Sequence, residues 1–325
     1  MMIRRLILCW SLVLLSLSAM SQSYDLEDIY IRDPYILADR ESGWYYLYRT
    51  STSQNENGAG IGGVELFRSR DLKKWTGPQK VFTVPEDNWI TGPVWAPEVH
   101  YYKGKYYLFA TLNSHLTWKK KKEDWPAYTF RGTQIFYADK PEGPFLPFDR
   151  IPHTPMDYMA LDGTLWEEEG KPYMVYCREW VEVVDGTMEL IELQPDLSST
   201  VGQSMRLFCA SDAPWAPDDR PSYVTDGCFL YKTKTGKLLM IWSSFAETGY
   251  AVGIAESTTG KVAGPWKQHP EPLMDENGGH GMLFRTFDGN LCLVLHQPNS
   301  PGGQERARLF EIEDRGDTLR IKKAL

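Results

Sequence analysis

The feature that most constrains this chain is one short pattern written five times. An acidic or histidine residue stands beside Gly or Pro, a hydrophobic strand follows, then a Gly-containing turn and a second apolar or aromatic strand. The copies begin at Arg32-Asp33-Pro34-Tyr35-Ile36, Trp95-Ala96-Pro97-Glu98-Val99, Leu161-Asp162-Gly163-Thr164-Leu165, Thr225-Asp226-Gly227-Cys228-Phe229 and Gly279-His280-Gly281-Met282-Leu283. The lead residues Asp33, Glu98, Asp162, Asp226 and His280 lie about 65 residues apart, with the last spacing about ten shorter. A period of that length holding several strands predicts an all-β fold, a five-bladed β-propeller. Each blade would set its first strand at the central axis, so the five leads would face one pocket. A ring of carboxylates there points to chemistry, because like charges held close together do nothing for stability.

The second half of each repeat agrees. Val64-Glu65-Leu66-Phe67-Arg68-Ser69, Gln134-Ile135-Phe136-Tyr137-Ala138, Glu189-Leu190-Ile191-Glu192-Leu193, Tyr250-Ala251-Val252-Gly253-Ile254 and Ala307-Arg308-Leu309-Phe310-Glu311-Ile312 read as strands bounded by polar turns. Two stretches interrupt the pattern and read as irregular insertions at the mouth of the funnel. One is Ser114 to Arg131, with a lysine run at Lys119 to Lys122; the other is Ala210 to Arg220.

The first 21 residues read as a signal peptide, with Arg4 and Arg5 ahead of an apolar run from Leu6 to Leu17 and the small residues Ala19 and Ser21 at the cleavage positions. The run is too short to span a bilayer as a helix. Residues 22–325 then form one propeller domain, and the expected location is secreted or periplasmic. Of the cysteines beyond Cys9, three (Cys177, Cys228 and Cys292) sit inside apolar strands; Cys209 is the fourth, and none forms a CxxC pair. Neither a zinc site nor an obligatory disulfide is expected. A net charge of −8 argues against a nucleic-acid partner.

Glycosidic bond cleavage uses two carboxyl groups with separated pKa values, one giving a proton to the leaving oxygen and one activating water or attacking carbon. Asp33, Asp162 and Asp226 come from blades one, three and four. Side chains on opposite sides of a funnel leave room for a water, which favours inversion. Each Asp alone reads equally as a turn residue; three at repeat-equivalent positions do not. Glu98, behind Trp95 and Pro97, either lines the pocket or braces it. His280, between two glycines, is either a satisfied buried histidine or an axial group that contacts a water or a cation. The 12 tryptophans suit sugar stacking as well as blade cores. Trp89, Trp95, Trp118, Trp180 and Trp215 are the stacking candidates.

Taken together and in this order, the motifs resemble glycoside hydrolase family 43 over roughly residues 28 to 315. The resemblance implies a five-bladed propeller that removes terminal arabinofuranosyl, xylosyl or related sugars from plant oligo- or polysaccharides by an inverting mechanism. It implies Asp33 as general base, Asp162 as the carboxylate that tunes and orients the acid, and position 226 as the acid. It also implies His280 as the axial histidine beside a calcium ion or a water, with no cofactor required. One position departs from the family. The acid is usually Glu in Thr-Glu-Gly-Pro, whereas this chain has Thr225-Asp226-Gly227-Cys228. The shorter Asp leaves three outcomes open: a deeper substrate, another acid such as Glu179, or a sugar-binding propeller with little turnover.

Overall fold

A computed structural model describes residues 22–52 and 62–325. The expected signal peptide, residues 1–21, lies outside the described residues. Five antiparallel sheets stand in a ring. Their first strands are Tyr35–Asp39, Val94–Tyr102, Ala160–Glu168, Asp226–Lys232 and Gly279–Arg285, and each touches the first strand of the next blade around the axis. The chain is therefore the five-bladed β-propeller that the repeat predicts. Among the described residues, no helix is long and apolar enough to cross a membrane.

Local chemistry explains the blades. Tyr102 pairs with Lys105, and Glu168 with Lys171, so two residues close each of these hairpins. Both residues in each loop have positive φ: Lys103 46° and Gly104 86°, Glu169 53° and Gly170 81°. That is the twist a two-residue hairpin loop needs, and it is why Gly recurs there. Between blades the packing is apolar and aromatic. Leu47, Tyr48, Leu108 and Phe136 are almost wholly buried in one cluster spanning blades one, two and five. Each such side chain contributes roughly 1.5–3 kcal/mol by leaving water.

The ring closes without a shared strand. The N-terminal strand Ser23–Asp25 adds to the outer edge of blade one through Lys74–Thr83. Contact with blade five runs instead through the segment just before Asp33. Tyr30 bridges Arg306, Ile31 N–H donates to the Glu305 carbonyl at 3.2 Å, and the Arg32 guanidinium meets Glu305 Oε1 at 3.1 Å and Asn299 Oδ1 at 2.7 Å. Closure thus sets Asp33 beside the strand that carries His296.

One expected insertion is not irregular. Ser114 to Arg131 continues the two middle strands of blade two, Lys105–Lys120 and Ala127–Ala138, as a long hairpin paired out to Lys120 and Ala127. Its lysines reach the tip, while Trp118, Tyr128 and Phe130 pack along its length. The Ala210–Arg220 stretch starts with a short 3-10 turn, Ala210–Asp212, and folds Trp215 inward.

Candidate active site

A cavity of about 680 Å3 opens at the end of the axis where the first strands begin. Asp33, Asp162, Asp226 and His280 line it, together with Trp95, Glu179, Trp180, Arg32 and Tyr250. Three of the four central groups stand in left-handed backbone: Asp33 at φ 52°, Asp162 at 56° and His280 at 50°. The pairing of the first strand with the second slips at this place in blades two to five, between Trp95 and Glu98, Leu161 and Thr164, Asp226 and Phe229, and Gly279 and Met282. An extra residue there turns a side chain out of the pleat and into the funnel. Such conformations cost of order 1–3 kcal/mol each and collect at functional sites.

The groups are tied to one another. His280 Nδ1 lies 3.3 Å from Asp33 Oδ1 and 3.7 Å from Asp162 Oδ2. His296 Nδ1 is 3.2 Å from Asp33 Oδ1 on the other side. Gly227 N–H donates to Asp162 Oδ2 at 3.0 Å, and the Tyr250 hydroxyl donates to Asp226 Oδ2 at 2.8 Å. Behind them, Thr111 Oγ1 accepts the Asp162 N–H and Ser243 Oγ accepts the His280 N–H, both at 2.8 Å.

These contacts separate the protonation states. Burial works against a charge on Asp33, but His280, His296 and Arg32 outweigh it and hold the carboxyl well below the ordinary range. Burial pushes Asp162 up to about 7, helped by Asp226 and Asp33 and opposed by His280 and the Gly227 N–H. Burial also raises Asp226, against His280 and the Tyr250 hydrogen bond. Asp162 and Asp226 are therefore both held above the ordinary carboxylate range, each raising the cost of charging the other. Burial opposes a charge on His280, yet Asp33, Asp162 and Asp226 raise its pKa, which favours the imidazolium. The site holds one firmly ionised carboxylate beside two carboxyls that resist ionisation.

Behind the lining residues Trp95 and Glu179 lies an element absent from the sequence analysis. Arg131, at the base of the long hairpin, forms an ion pair with Glu179 and lies 4.2 Å above the Trp95 ring. Burial lowers Arg131 to about 10 against the pull of Asp162 and Asp226, which leaves it cationic at neutral pH. Glu179 is engaged by this cation; Arg178, its sequence neighbour, pairs with Glu182 instead. Arg32, Tyr250 and His296 were also missed. Tyr250 had a weak signal, since it opens the third strand of blade four; Arg131 had none, lying where a solvated loop was expected.

Two candidate contact residues lie away from the cavity, Glu98 taking the bracing place that the sequence left open. Glu98 does not line the cavity: it is 6% exposed, and its Oε2 meets His100 Nε2 at 2.8 Å in the shaft below. Trp215 is buried against Trp242, with ring centroids 5.1 Å apart, and belongs to the core of blades three and four. Trp95 and Trp180 do line the cavity; Trp89 and Trp118 do not. As for an axial cation, His280 Nδ1 is engaged by carboxylates. No group of three or more His, Cys, Asp or Glu among the described residues is arranged to hold a metal ion.

The comparisons with known proteins fit this geometry. A solved endo-arabinase from Bacteroides thetaiotaomicron VPI-5482 is 36% identical, covers 89% of this chain and 96% of its own, and superposes with a TM-score of 0.78. An extracellular exo-alpha-(1->5)-L-arabinofuranosidase of Cellvibrio japonicus is 21% identical over 87% of this chain and 83% of the relative. A provisionally named beta-xylosidase of Escherichia coli K12 is 26% identical over 70% of this chain, which spans 41% of that longer relative. The profile of glycosyl hydrolases family 43 matches residues 29–314. Fold, order of motifs and profile agree: this chain belongs to glycosyl hydrolases family 43.

Proposed function

We propose that this protein is an exported arabinan hydrolase that cleaves α-L-arabinofuranosyl bonds with inversion. The observation that carries the reading is three carboxyls gathered in one cavity, with Asp33 held below the ordinary carboxylate range by His280, His296 and Arg32, and Asp162 and Asp226 raised above it by burial. Likeness to an endo-arabinase over nearly its whole length supports arabinan over xylan. The signal peptide expected from the sequence of residues 1–21 supports export.

In this mechanism Asp33 takes a proton from a water as that water attacks the anomeric carbon. The ionic contacts from His280, His296 and Arg32 keep Asp33 charged and fix its direction. Asp226 gives its proton to the leaving oxygen. Its side chain is one methylene shorter than Glu, and the Tyr250 hydroxyl anchors one of its oxygens, leaving the other to face the substrate. Asp162 accepts the Gly227 N–H and so holds the backbone that carries Asp226. Trp95 and Trp180 flank the sugar.

The test is digestion of linear α-1,5-arabinan and of xylan, followed by proton NMR of the first-formed reducing sugar. The expected result is arabinose or arabino-oligosaccharide released initially as the β-anomer. Initial α-anomer would exclude inversion, and release from xylan alone would exclude the arabinan assignment.

A further inference from the structure

One side chain in the cavity lining has half of its amide unpaired. Asn299 follows the second strand of blade five, Leu291–Gln297, and lines the cavity together with Arg32, Asp33 and His280. Its Oδ1 accepts from the Arg32 guanidinium Nη2 at 2.7 Å and faces His296 Nε2 at 3.2 Å. A carbonyl oxygen has no hydrogen to give, so His296 Nε2 carries one and donates it. The two donors together fix which end of the amide is oxygen. The other end, Nδ2, carries two hydrogens and bonds to no group among the described residues.

The amide is held in place and stands beside the base. Asn299 N–H donates to the Asn277 carbonyl, Asn277 Nδ2 to the Ser300 carbonyl and Gln297 Nε2 to the Glu276 carbonyl, each at 2.7 Å. The partners of Oδ1 are the groups that hold Asp33: His296 Nδ1 is 3.2 Å and Arg32 Nε 3.8 Å from Asp33 Oδ1. Other polar groups of the lining are engaged elsewhere. Arg49 binds Glu65 and the Tyr30 carbonyl, and Thr50 Oγ1 donates to the Val94 carbonyl.

We infer that Asn299 is a substrate-binding residue, whose Nδ2–H donates a hydrogen bond to an oxygen of the sugar unit seated against Asp33. This rests on the glycan-hydrolase reading above. A neutral donor in a fixed direction matches a ring or hydroxyl oxygen, and a site with such a donor discriminates against a ligand that places no acceptor there. Because the amide is ordered before the sugar arrives, the bond adds affinity without a further ordering cost. A purely bracing role would use Oδ1 alone, and a carboxylate would fill it equally well.

The test compares wild type with Asn299→Asp and Asn299→Ala on whichever of linear arabinan and xylan the wild type cleaves, each protein at its own pH optimum and with native circular dichroism. Asp has the shape of Asn and keeps an oxygen for Arg32 and His296, but it turns the donor at the cavity into an acceptor. In Asn299→Asp, KM is expected to rise about tenfold while kcat stays within about threefold, the pattern of a donor–acceptor pair turned into two facing acceptors. Asn299→Ala removes donor and acceptor together. Its KM should rise about fivefold and its kcat should fall as well, because Arg32 and His296 lose their common partner. A wild-type KM in Asn299→Asp overturns the inference whatever kcat does; with a kcat loss in Asn299→Ala, it makes Asn299 a brace for the base. A wild type that cleaves neither polymer removes the hydrolase reading and this inference with it. A wild type that cleaves either one leaves that reading standing, whichever way Asn299 falls.

Discussion

Blades one, three and five differ from blades two and four at a single backbone position. All five have a left-handed residue where the first strand enters the funnel: Asp33, Ala96, Asp162, Gly227 and His280, with φ between 41° and 56°. In three blades that residue is ionisable and its side chain enters the cavity. In the other two it is Ala or Gly, and the acidic residue of the motif is displaced. Asp226 comes one residue early, opposite Ser243 in the ladder, and still reaches the cavity. Glu98 comes two residues late, opposite Phe109, and faces His100 in the shaft. A left-handed backbone costs an L-residue roughly 1–2 kcal/mol. The fold bears that cost in four blades, Gly227 avoiding it in the other, and gains a reactive group directly in only three. The bend is therefore a property of the propeller, and the chemistry is grafted onto it.

The sharpest way to break this comparison is to change the same position in blades one and two. Asp33→Asn keeps the size of the side chain and removes the base. Turnover of arabinan is expected to fall by at least about a hundredfold, the scale of lost general-base help. Ala96→Gly sits at the matching bend and should change turnover by no more than about twofold, since Gly adopts positive φ freely. Comparable losses in the two variants, measured on protein with native circular dichroism, would show that the bend itself matters rather than the group it carries.

The repeat, the turns and the blade count were legible in the sequence because they are local. Gly at a two-residue turn and an apolar strand on either side specify a hairpin wherever they occur. Register was not legible. Aligning the motifs by their acidic residues put Asp226 and Glu98 in step with Asp33, but the extra residue at the bend belongs to the pairing with the second strand, as in Asp226 with Ser243 and Phe229 with Ile241. The tryptophans were also ambiguous, since Trp180 at the cavity and Trp215 in the core share a composition and differ only in what packs above them. Arg131 was hidden because Thr129, Gly132 and Thr133 broke the alternation of its strand and lysines filled the strand opposite. The hairpin forms anyway, through the ladder out to Lys120 and the stacked rings of Trp118 and Phe130.

Blade four supplies the next test. A Cβ added at Gly227 would lie 2.7 Å from His280 Cγ and 2.8 Å from His280 Cα. His280 cannot yield freely, because its N–H is bonded to Ser243 Oγ and its ring to the aspartates. Gly227→Ala is therefore expected to displace the imidazole from Asp33 and cut turnover between about tenfold and a hundredfold, as small misplacements of reacting groups do. The melting temperature should also drop, because Ala is strained at φ 52°. Full activity with a lowered melting temperature would mean that His280 has no part in holding the base.

The smallest effect is the most specific. Tyr250 is buried, and its ring stacks on His296 with centroids 5.7 Å apart. Tyr250→Phe keeps that ring and removes only the hydroxyl that donates to Asp226. The lost hydrogen bond stabilised the ionised carboxylate, so its removal raises the Asp226 pKa further. The acid works protonated, and activity falls as pH rises through the pKa of the Asp162–Asp226 pair. The alkaline limb of kcat/KM should therefore move to higher pH in the variant. The acid limb belongs to Asp33, whose partners His280, His296 and Arg32 are untouched, and it should stay where it is. Turnover at the optimum is expected to drop only a few-fold, because Asp226 keeps its proton but loses the anchor that aims it. A shift of the limb to lower pH, or a loss of stability with no change in the pH profile, would make Tyr250 a packing residue and remove Asp226 from the role of acid.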